Sequence, residues 1–313
     1  MDRIAVRVAA VREEARDIRA YDLATASGAA LPAFDAGSHV SVFLPNGLAR
    51  SYSLVGAADD RRAYTIAVKC ERNGRGGSAF IHDHVQVGAE FEIGTPLNNF
   101  RLDEHAPHSV LVAGGIGITP IYAMAKRLTE LGRSWEMLYA ARSPEDAAFY
   151  RALTTMEGGK VRFFFFEAAG DKLDLADAFR GRPHGTHFYC CGPTPMLDEF
   201  VASATTAPAF VHTERFTGRA DEGPGAGFTV KLARDGRTFF IPPDRSILDV
   251  LGENGITVES SCREGLCGAC ETRVLDGVPD HKDFVLDEDQ HESNKVMMIC
   301  CSRAMGETLT LDL

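Results

Sequence analysis

The chain has 313 residues, 45% hydrophobic and 25% charged, with eight cysteines and a formal net charge of −11. That length holds two or three domains, each with its own core, and the acidic balance excludes nucleic-acid binding, which needs a basic footprint. The most apolar stretch, Ser109–Ala125, contains three glycines and a proline and is short for a membrane span.

With no basic, apolar leader, a cytoplasmic location away from the membrane is expected, and the cysteines then read as thiols or ligands rather than bridges. Residues 1–103 read as all-β. Strand-like runs at Val40–Leu44, Arg50–Val55, Tyr64–Val68 and Glu90–Ile93 are separated by turn signals such as Pro45-Asn46-Gly47, which predicts a barrel. Arg50-Ser51-Tyr52-Ser53-Leu54 supplies a cation, a planar ring and hydroxyls on one strand, with Arg50, Tyr52 and Leu54 on one face and Ser51 and Ser53 on the other. Downstream, Gly74-Arg75-Gly76-Gly77-Ser78 leads into a short helix expected over Ala79–His84 with Ser78 as cap, an anion site suited to a terminal phosphate.

A softer boundary lies near Leu102–Pro107, and residues 104–216 alternate. Strand-like runs at Val110–Ala113, Trp135–Ala140, Val161–Phe166, His187–Cys191 and Phe210–His212, with helical patterns between most of them, predict a doubly wound parallel sheet. Phe163–Phe166 reads as a fully buried central strand. Leu111-Val112-Ala113-Gly114-Gly115-Ile116-Gly117-Ile118-Thr119-Pro120 passes from strand through a glycine turn into a helix, with Thr119 expected as N-cap and Pro120 at the first helical position. Such a junction attracts a pyrophosphate. Cys190-Cys191-Gly192-Pro193-Thr194-Pro195 repeats the device on the same sheet edge, with Thr194 and Pro195 as the cap pair.

Residues 217–227, rich in glycine, read as a linker. From Gly227 onward nine Lys/Arg stand against sixteen Asp/Glu, so this segment carries −7 of the charge and offers an acidic face to a basic partner. Residues 228–313 follow a β-grasp pattern. Phe228–Leu232 and Thr238–Ile241 flank the turn signal Asp235-Gly236, Ser246 and Asp249 open a short helix as a capping box that Gly255 ends, and Glu271–Leu275 and Thr308–Leu313 read as strands. Cys262, Cys267 and Cys270 have the Cys-x4-Cys-x2-Cys spacing of a plant-type [2Fe–2S] centre, with Cys300 or Cys301 as the distant fourth thiolate. Gly265 and Gly268 let the loop turn tightly and bring backbone N–H groups to sulfur. A zinc site would more often show two Cys-x2-Cys pairs, and only Cys267 and Cys270 make one.

Arg-x-Tyr-Ser-Leu, Gly-Gly-Ser, Gly-Gly-Ile-Gly-Ile-Thr-Pro, Cys-Gly-Pro and the ferredoxin cysteines, in this order and over essentially the whole chain, resemble the phthalate dioxygenase reductase family, which includes reductase components of vanillate-type aromatic O-demethylases. The resemblance implies an FMN-binding antiparallel β-barrel, a doubly wound NAD-binding α/β domain and a C-terminal β-grasp ferredoxin. It implies that Arg50, Ser51, Tyr52 and Ser53 hold the flavin, that Gly76, Gly77 and Ser78 bind its phosphate with Lys69 as an added charge, and that Ala67 and Val68 offer backbone contacts. Gly115, Gly117 and Thr119 would face the nucleotide, Cys191 would sit by the nicotinamide, and Phe216 would cover the flavin. Cys300 fits the family's fourth ligand position slightly better than Cys301. Relatives that use NADH tend to carry an acidic residue where this chain has Ser143 after Arg142, yet NADH remains the expected donor. No adenosine platform is evident, which favours FMN over FAD.

A nicotinamide gives up two electrons together and a cluster takes one, so a flavin between them fits the chemistry. The expected function is electron transfer from NADH through FMN and the cluster to a terminal oxygenase, either a Rieske or a haem-thiolate protein, by a monomeric reductase in which Thr119 and Cys191 position the reactants. A flavin reductase that hands over reduced flavin, and a cluster-based redox sensor, are the alternatives.

Overall fold

A computed structural model of the protein describes residues 3–56, 60–167, 172–218 and 226–313. They divide into two compact units, one ending at Phe216 and the other beginning at Thr217. The glycine-rich stretch expected as a linker falls mostly outside the described residues.

The first unit opens with an antiparallel sheet of β1 (Arg3–Ala15), β2 (Ile18–Thr25), β3 (His39–Phe43), β4 (Ala49–Ser53), β5 (Tyr64–Lys69) and β6 (Glu90–Gly94), in the order β4-β3-β6-β1-β2-β5, with α1 (Gly77–His84) between β5 and β6. β1 and β2 form a long hairpin across Arg16-Asp17, where Asp17 adopts φ 59°. Val6, Val8, Tyr21, Leu23, Val40, Val42, Ile66 and Ile93 fill the interior. Val6, Val8 and Leu23 alternate along their strands with exposed or half-exposed neighbours, as a sheet with one wet face requires, whereas β3 is buried on both faces from His39 to Val42.

The same unit continues with β7 (Ser109–Gly114), β8 (Trp135–Ala141), β9 (Gly159–Phe165), β10 (His187–Cys191) and β11 (Val211–Glu214), all parallel in the order β11-β10-β7-β8-β9. Leu111, Ala113, Met137 and Tyr139 pack under α2 (Ile118–Glu130) through Ile118, Ile121 and Met124, while Val110, Val112, Leu138 and Phe188 pack on the other face against Leu197 and Phe200 of α4 (Thr194–Ala202). A short α3 (Tyr150–Thr154) precedes β9. Both faces are covered, which is why β7 reads as one apolar run. Ile18, Ala36, Val55 and Ala67 of the barrel share the α2-side core, so barrel and nucleotide sheet are one packed body. The phenylalanine strand departs from expectation: β9 lies at the sheet edge, its rings are half-buried, and Phe166 is 65% exposed. Stacking of Phe163 on Phe165 and contact with Tyr150 occupy the rings without a second neighbouring strand.

The second unit contains β12 (Phe228–Leu232), β13 (Thr238–Ile241), α5 (Ile247–Glu253), β14 (Glu271–Asp276), β15 (Pro279–Asp280), α6 (Glu288–Ser293), β16 (Val296–Met298), β17 (Arg303–Ala304) and β18 (Thr308–Leu311). Its sheet runs β13-β12-β18-β14-β16, with β12 and β18 parallel, while β15 and β17 pair separately. Ile247 and Leu251 of α5 pack on Val230, Leu309 and Leu311, giving the β-grasp. Ser246 caps α5 by accepting from Asp249 N–H, and the Asp249 carboxylate takes the Ser246 hydroxyl and pairs with Arg263 of the following loop. No helix among the described residues is long and apolar enough to cross a membrane.

Candidate functional site

The barrel closes incompletely. β4 pairs with β3 and β5 with β2, and these outer strands meet at the Leu54–Ile66 bridge, where Val55 N–H donates to Thr65 O at 2.9 Å. Beyond the bridge, Arg50–Ser53 and Ala67–Lys69 flank a seam that no ladder spans among the described residues. Ser53 on this seam is 5% exposed and its hydroxyl lacks a hydrogen-bond partner, a costly state that a ligand would relieve. Ala67 and Val68 are buried opposite Ala20 and Arg19, and the Val68 carbonyl accepts from His82 Nε2 at 2.8 Å. Ser51 and Tyr52 are half-buried on β4.

Arg50 ties this strand to α1. Its guanidinium donates to the Arg75 carbonyl at 2.7 Å, and its side chain crosses Gly77 so closely that a Cβ there would lie 2.6 Å from Arg50 Cγ. Gly76 stands at the N-cap with φ 81°, where a side chain would be strained. α1 therefore starts at Gly77, and Ser78, expected as the cap, is the second helical residue; its hydroxyl accepts from Glu71 N–H at 3.0 Å. With no side-chain cap, the helix N-terminus and Arg50 together make a positive pole. The Lys69 ammonium is paired with Glu71 at 2.6 Å.

At the C-terminal edge of the parallel sheet, β7 enters a 3-10 turn, Gly115–Gly117, which already occupies the place of a cap. α2 thus begins at Ile118, and Thr119, expected as N-cap, lies in the first turn, 2% exposed, its hydroxyl donating to Ile116 O at 3.1 Å. Gly115 has φ 55° and open space where a Cβ would stand, so its backbone is approachable. Gly117 faces protein instead: a Cβ there would sit 2.2 Å from the Cys191 carbonyl oxygen. At the neighbouring junction Pro193 takes the N-cap position and Thr194 the first helical one. The two phosphate-type turns are locked together backbone to backbone.

Cys191 ends β10 beside Glu214, its register partner on β11, with Sγ to Oε2 at 4.0 Å. Burial raises the Cys191 thiol well above its ordinary value and pushes the Glu214 carboxyl up to about 8, so both carry protons at neutral pH. Glu214 was invisible as a site residue in the sequence, because only the parallel pairing brings it to Cys191. Phe216, two residues on, is 39% exposed. Past β8, Arg142 is exposed with Nε 3.7 Å from Glu167, and Ser143 is buried with its hydroxyl 2.8 Å from both Glu145 Oε2 and Asp146 Oδ2. Two carboxylates thus gather at position 143, which itself carries no charge.

In the second unit the loop between α5 and β14 turns through Arg263, Gly265 and Gly268, all at positive φ, and buries Cys262, Cys267 and Cys270 with Cys300. Glu264 and Leu266 N–H groups donate to Cys262 Sγ at 3.4 Å, and Cys262 N–H donates to Cys267 Sγ at 3.5 Å. Hydrogen bonds from the Cys262 thiol to Cys267, and from Cys270 to Cys300, lower the pKa of each acceptor. Four convergent sulfurs, two of them inclined to thiolate, with N–H donors around them, fit a [2Fe–2S] cluster. Cys301 is half-buried, and its Sγ donates to the Met298 carbonyl at 3.7 Å.

Two family models match: a 2Fe-2S iron-sulfur cluster binding domain over residues 230–305 and an oxidoreductase NAD-binding domain over residues 111–201. The chain is 45% identical over 311 residues to phenoxybenzoate dioxygenase subunit beta of Ectopseudomonas oleovorans, covering 99% of this chain and 97% of that one. It is 40% identical over 316 residues to phthalate dioxygenase reductase of Burkholderia cepacia, covering 98% and 97%. Among solved structures, a phthalate dioxygenase reductase described as a modular structure for electron transfer from pyridine nucleotides to [2Fe-2S] superimposes with a TM-score of 0.75 at 38% identity, over 99% of this chain and 98% of that one. An intact type IV self-sufficient cytochrome P-450 monooxygenase gives a TM-score of 0.90 at 38% identity; this chain covers 41% of its length.

Proposed function

The chain belongs to the phthalate dioxygenase reductase family, and we propose that it passes electrons from NADH through FMN to a [2Fe–2S] cluster and on to a partner oxygenase. The observation that carries this reading is the four-sulfur loop of the second unit in the same chain as the barrel seam and the double-glycine sheet edge of the first. FMN, when bound, supplies the change from two-electron to one-electron transfer.

The residues divide the work by domain: 1–103 for the flavin, 104–216 for the nucleotide, 217–227 as the join and 228–313 for the cluster. Ser53, with its unsatisfied buried hydroxyl, and the backbone of Ala67 and Val68 hold the ring in the seam, beside Ser51 and Tyr52. Arg50, Gly76, Gly77 and Ser78 receive the phosphate at the positive pole of α1, and Lys69 contributes charge nearby. Gly115 admits the dinucleotide backbone, while Gly117 keeps the two sheet-edge turns in contact. Thr119 and Cys191 position the reacting faces, Glu214 holds a proton beside Cys191, and Phe216 covers the flavin. Glu145 and Asp146, gathered at Ser143, and Glu167 beside Arg142 repel a 2′-phosphate and favour NADH. Cys262, Cys267, Cys270 and Cys300 hold the cluster.

Of the two partner classes we favour a Rieske oxygenase over a haem-thiolate monooxygenase. The dioxygenase relatives match along nearly their whole length, whereas in the monooxygenase the likeness is part of a longer polypeptide. The protein then acts as a separate monomer in the reducing cytoplasm, docking through the acidic 228–313 segment.

Anaerobic NADH should bleach the visible absorbance of the purified protein, the released flavin should be FMN, and turnover should follow with a one-electron protein acceptor. Cys267→Ser should abolish acceptor reduction. Full acceptor reduction by that variant, or no bleaching by NADH, would overturn the assignment.

A further inference from the structure

A second cluster of ligating side chains lies in the ferredoxin unit, apart from the four cysteines. His281 follows β15, Asp283 comes two residues later, and His291 projects from α6. One ligand atom from each lies within 4.8 Å of the others. His281 Nδ1 is 3.6 Å from Asp283 Oδ1, His291 Nε2 is 3.4 Å from Asp283 Oδ2, and the two imidazole rings lie 4.4 Å apart.

Two features set this cluster apart from an ordinary hydrogen-bonded group. Asp283 is fully buried, and its Oδ2 is fixed by the N–H groups of Val285 and Leu286 at 3.2 and 2.9 Å, so the carboxylate cannot swing to solvent. His281 is nine-tenths buried, yet neither ring nitrogen has a hydrogen-bond partner; 3.6 Å is too long for one. Native proteins rarely leave a buried imidazole unsatisfied on both nitrogens.

We propose that His281, Asp283 and His291 form a binding site for a zinc-class divalent cation. Two imidazoles and one carboxylate suit zinc and not magnesium or calcium, which want oxygen donors. Bonds of roughly 2.0–2.2 Å in a tetrahedron put ligand atoms about 3.3–3.6 Å apart; His281 Nδ1 stands at that separation from Asp283 Oδ1 and His291 Nε2 from Asp283 Oδ2, with one ligand atom of each residue within 4.8 Å of the others. His291 is 29% exposed, so the fourth position opens to water. The ion would pin α6 to the segment that packs on the cluster loop: Phe284 N–H donates to Gly265 O at 3.0 Å, and a Cβ on Gly265 would lie 2.9 Å from Asp283 Cα and 2.5 Å from Cys301 Sγ. This inference rests on the ferredoxin fold and not on the redox reading.

The test uses the holoprotein with its iron content verified, dialysed against zinc sulfate in excess magnesium, with bound zinc measured and melting followed. Wild type should retain one zinc per chain and melt at a higher temperature with zinc than without. His281→Ala and His291→Ala should each weaken zinc retention at least tenfold and lose the melting shift with iron content unchanged. His184→Ala, an exposed histidine of the other unit, should behave as wild type. No retained zinc in wild type, or equal retention and melting shift in both site variants, would overturn the proposal.

Discussion

Gly117→Ala adds one methyl group at the point where the two turns of the nucleotide edge touch. The new Cβ would stand 2.2 Å from the Cys191 carbonyl oxygen, 2.5 Å from its carbon and 2.8 Å from Gly192 N. Ordinary contact lies near 3.5 Å, so the two junctions must part by about 1 Å. The obstructing atoms are backbone at the end of β10, in register with β7 and β11, and no rotamer change can clear them. Overpacking of this kind costs about 1–3 kcal/mol, and a unit of this size loses about 2–4 °C of melting temperature per kcal/mol, so a fall of roughly 3–10 °C is expected. A 1 Å displacement of positioning groups costs on the order of 100-fold in rate. NADH oxidation with ferricyanide as a small acceptor should therefore fall about 100-fold in kcat/KM, while the absorbance of the cluster is retained. Gly115→Ala, with open space but φ 55°, should cost only about 1–2 kcal/mol of strain. A Gly117→Ala protein with wild-type melting and kcat/KM within threefold would refute the packing argument.

Cys300→Ser should lose the cluster and its iron, whereas Cys301→Ser should keep both; iron analysis and visible absorbance decide, and the reverse result would exchange their roles. Glu214 retains its proton in the folded state up to about pH 8, against an ordinary carboxyl value of 4.5. Its contribution to stability is therefore complete below the ordinary value and is lost as pH rises toward 8. Glu214→Gln should flatten that decline in denaturant titrations from pH 5 to 8; an unchanged slope would contradict the burial of the carboxyl. On the sheet, Phe166→Ser should shift stability by no more than about 0.5 kcal/mol, while Leu138→Ala in the interior of β8 should cost about 2–5 kcal/mol. Equal losses would restore the reading of the phenylalanine strand as central.

The cysteine spacing, both glycine turns and most later strands were legible because each is a local pattern. The N-terminal hairpin was not. Val8–Ala15 is rich in alanine, arginine and glutamate, which favour helices, and pairing with β2 makes it a strand. The cap positions at Ser78 and Thr119 slipped because glycines upstream take the special backbone angles or an earlier turn. The phenylalanine run indicated a strand, but composition cannot say whether a strand has one neighbour or two. Glu214 beside Cys191 and Glu145 beside Ser143 are products of tertiary pairing and of a tight 3-10 turn, and neither has a signature at the level of motif.

β18 lies at the centre of the ferredoxin sheet, between β12 and β14, although it is the last of the five strands in chain order. During synthesis, β12, β13 and all the cysteines emerge before the strand that joins the two halves of that sheet. The half-made unit leaves β12 and β14 with unpaired edges, open to stray pairing or to capture by a chaperone. The cysteines all lie ahead of that strand in the chain, and the sheet that carries their loop is complete only once β18 has paired with β12 and β14.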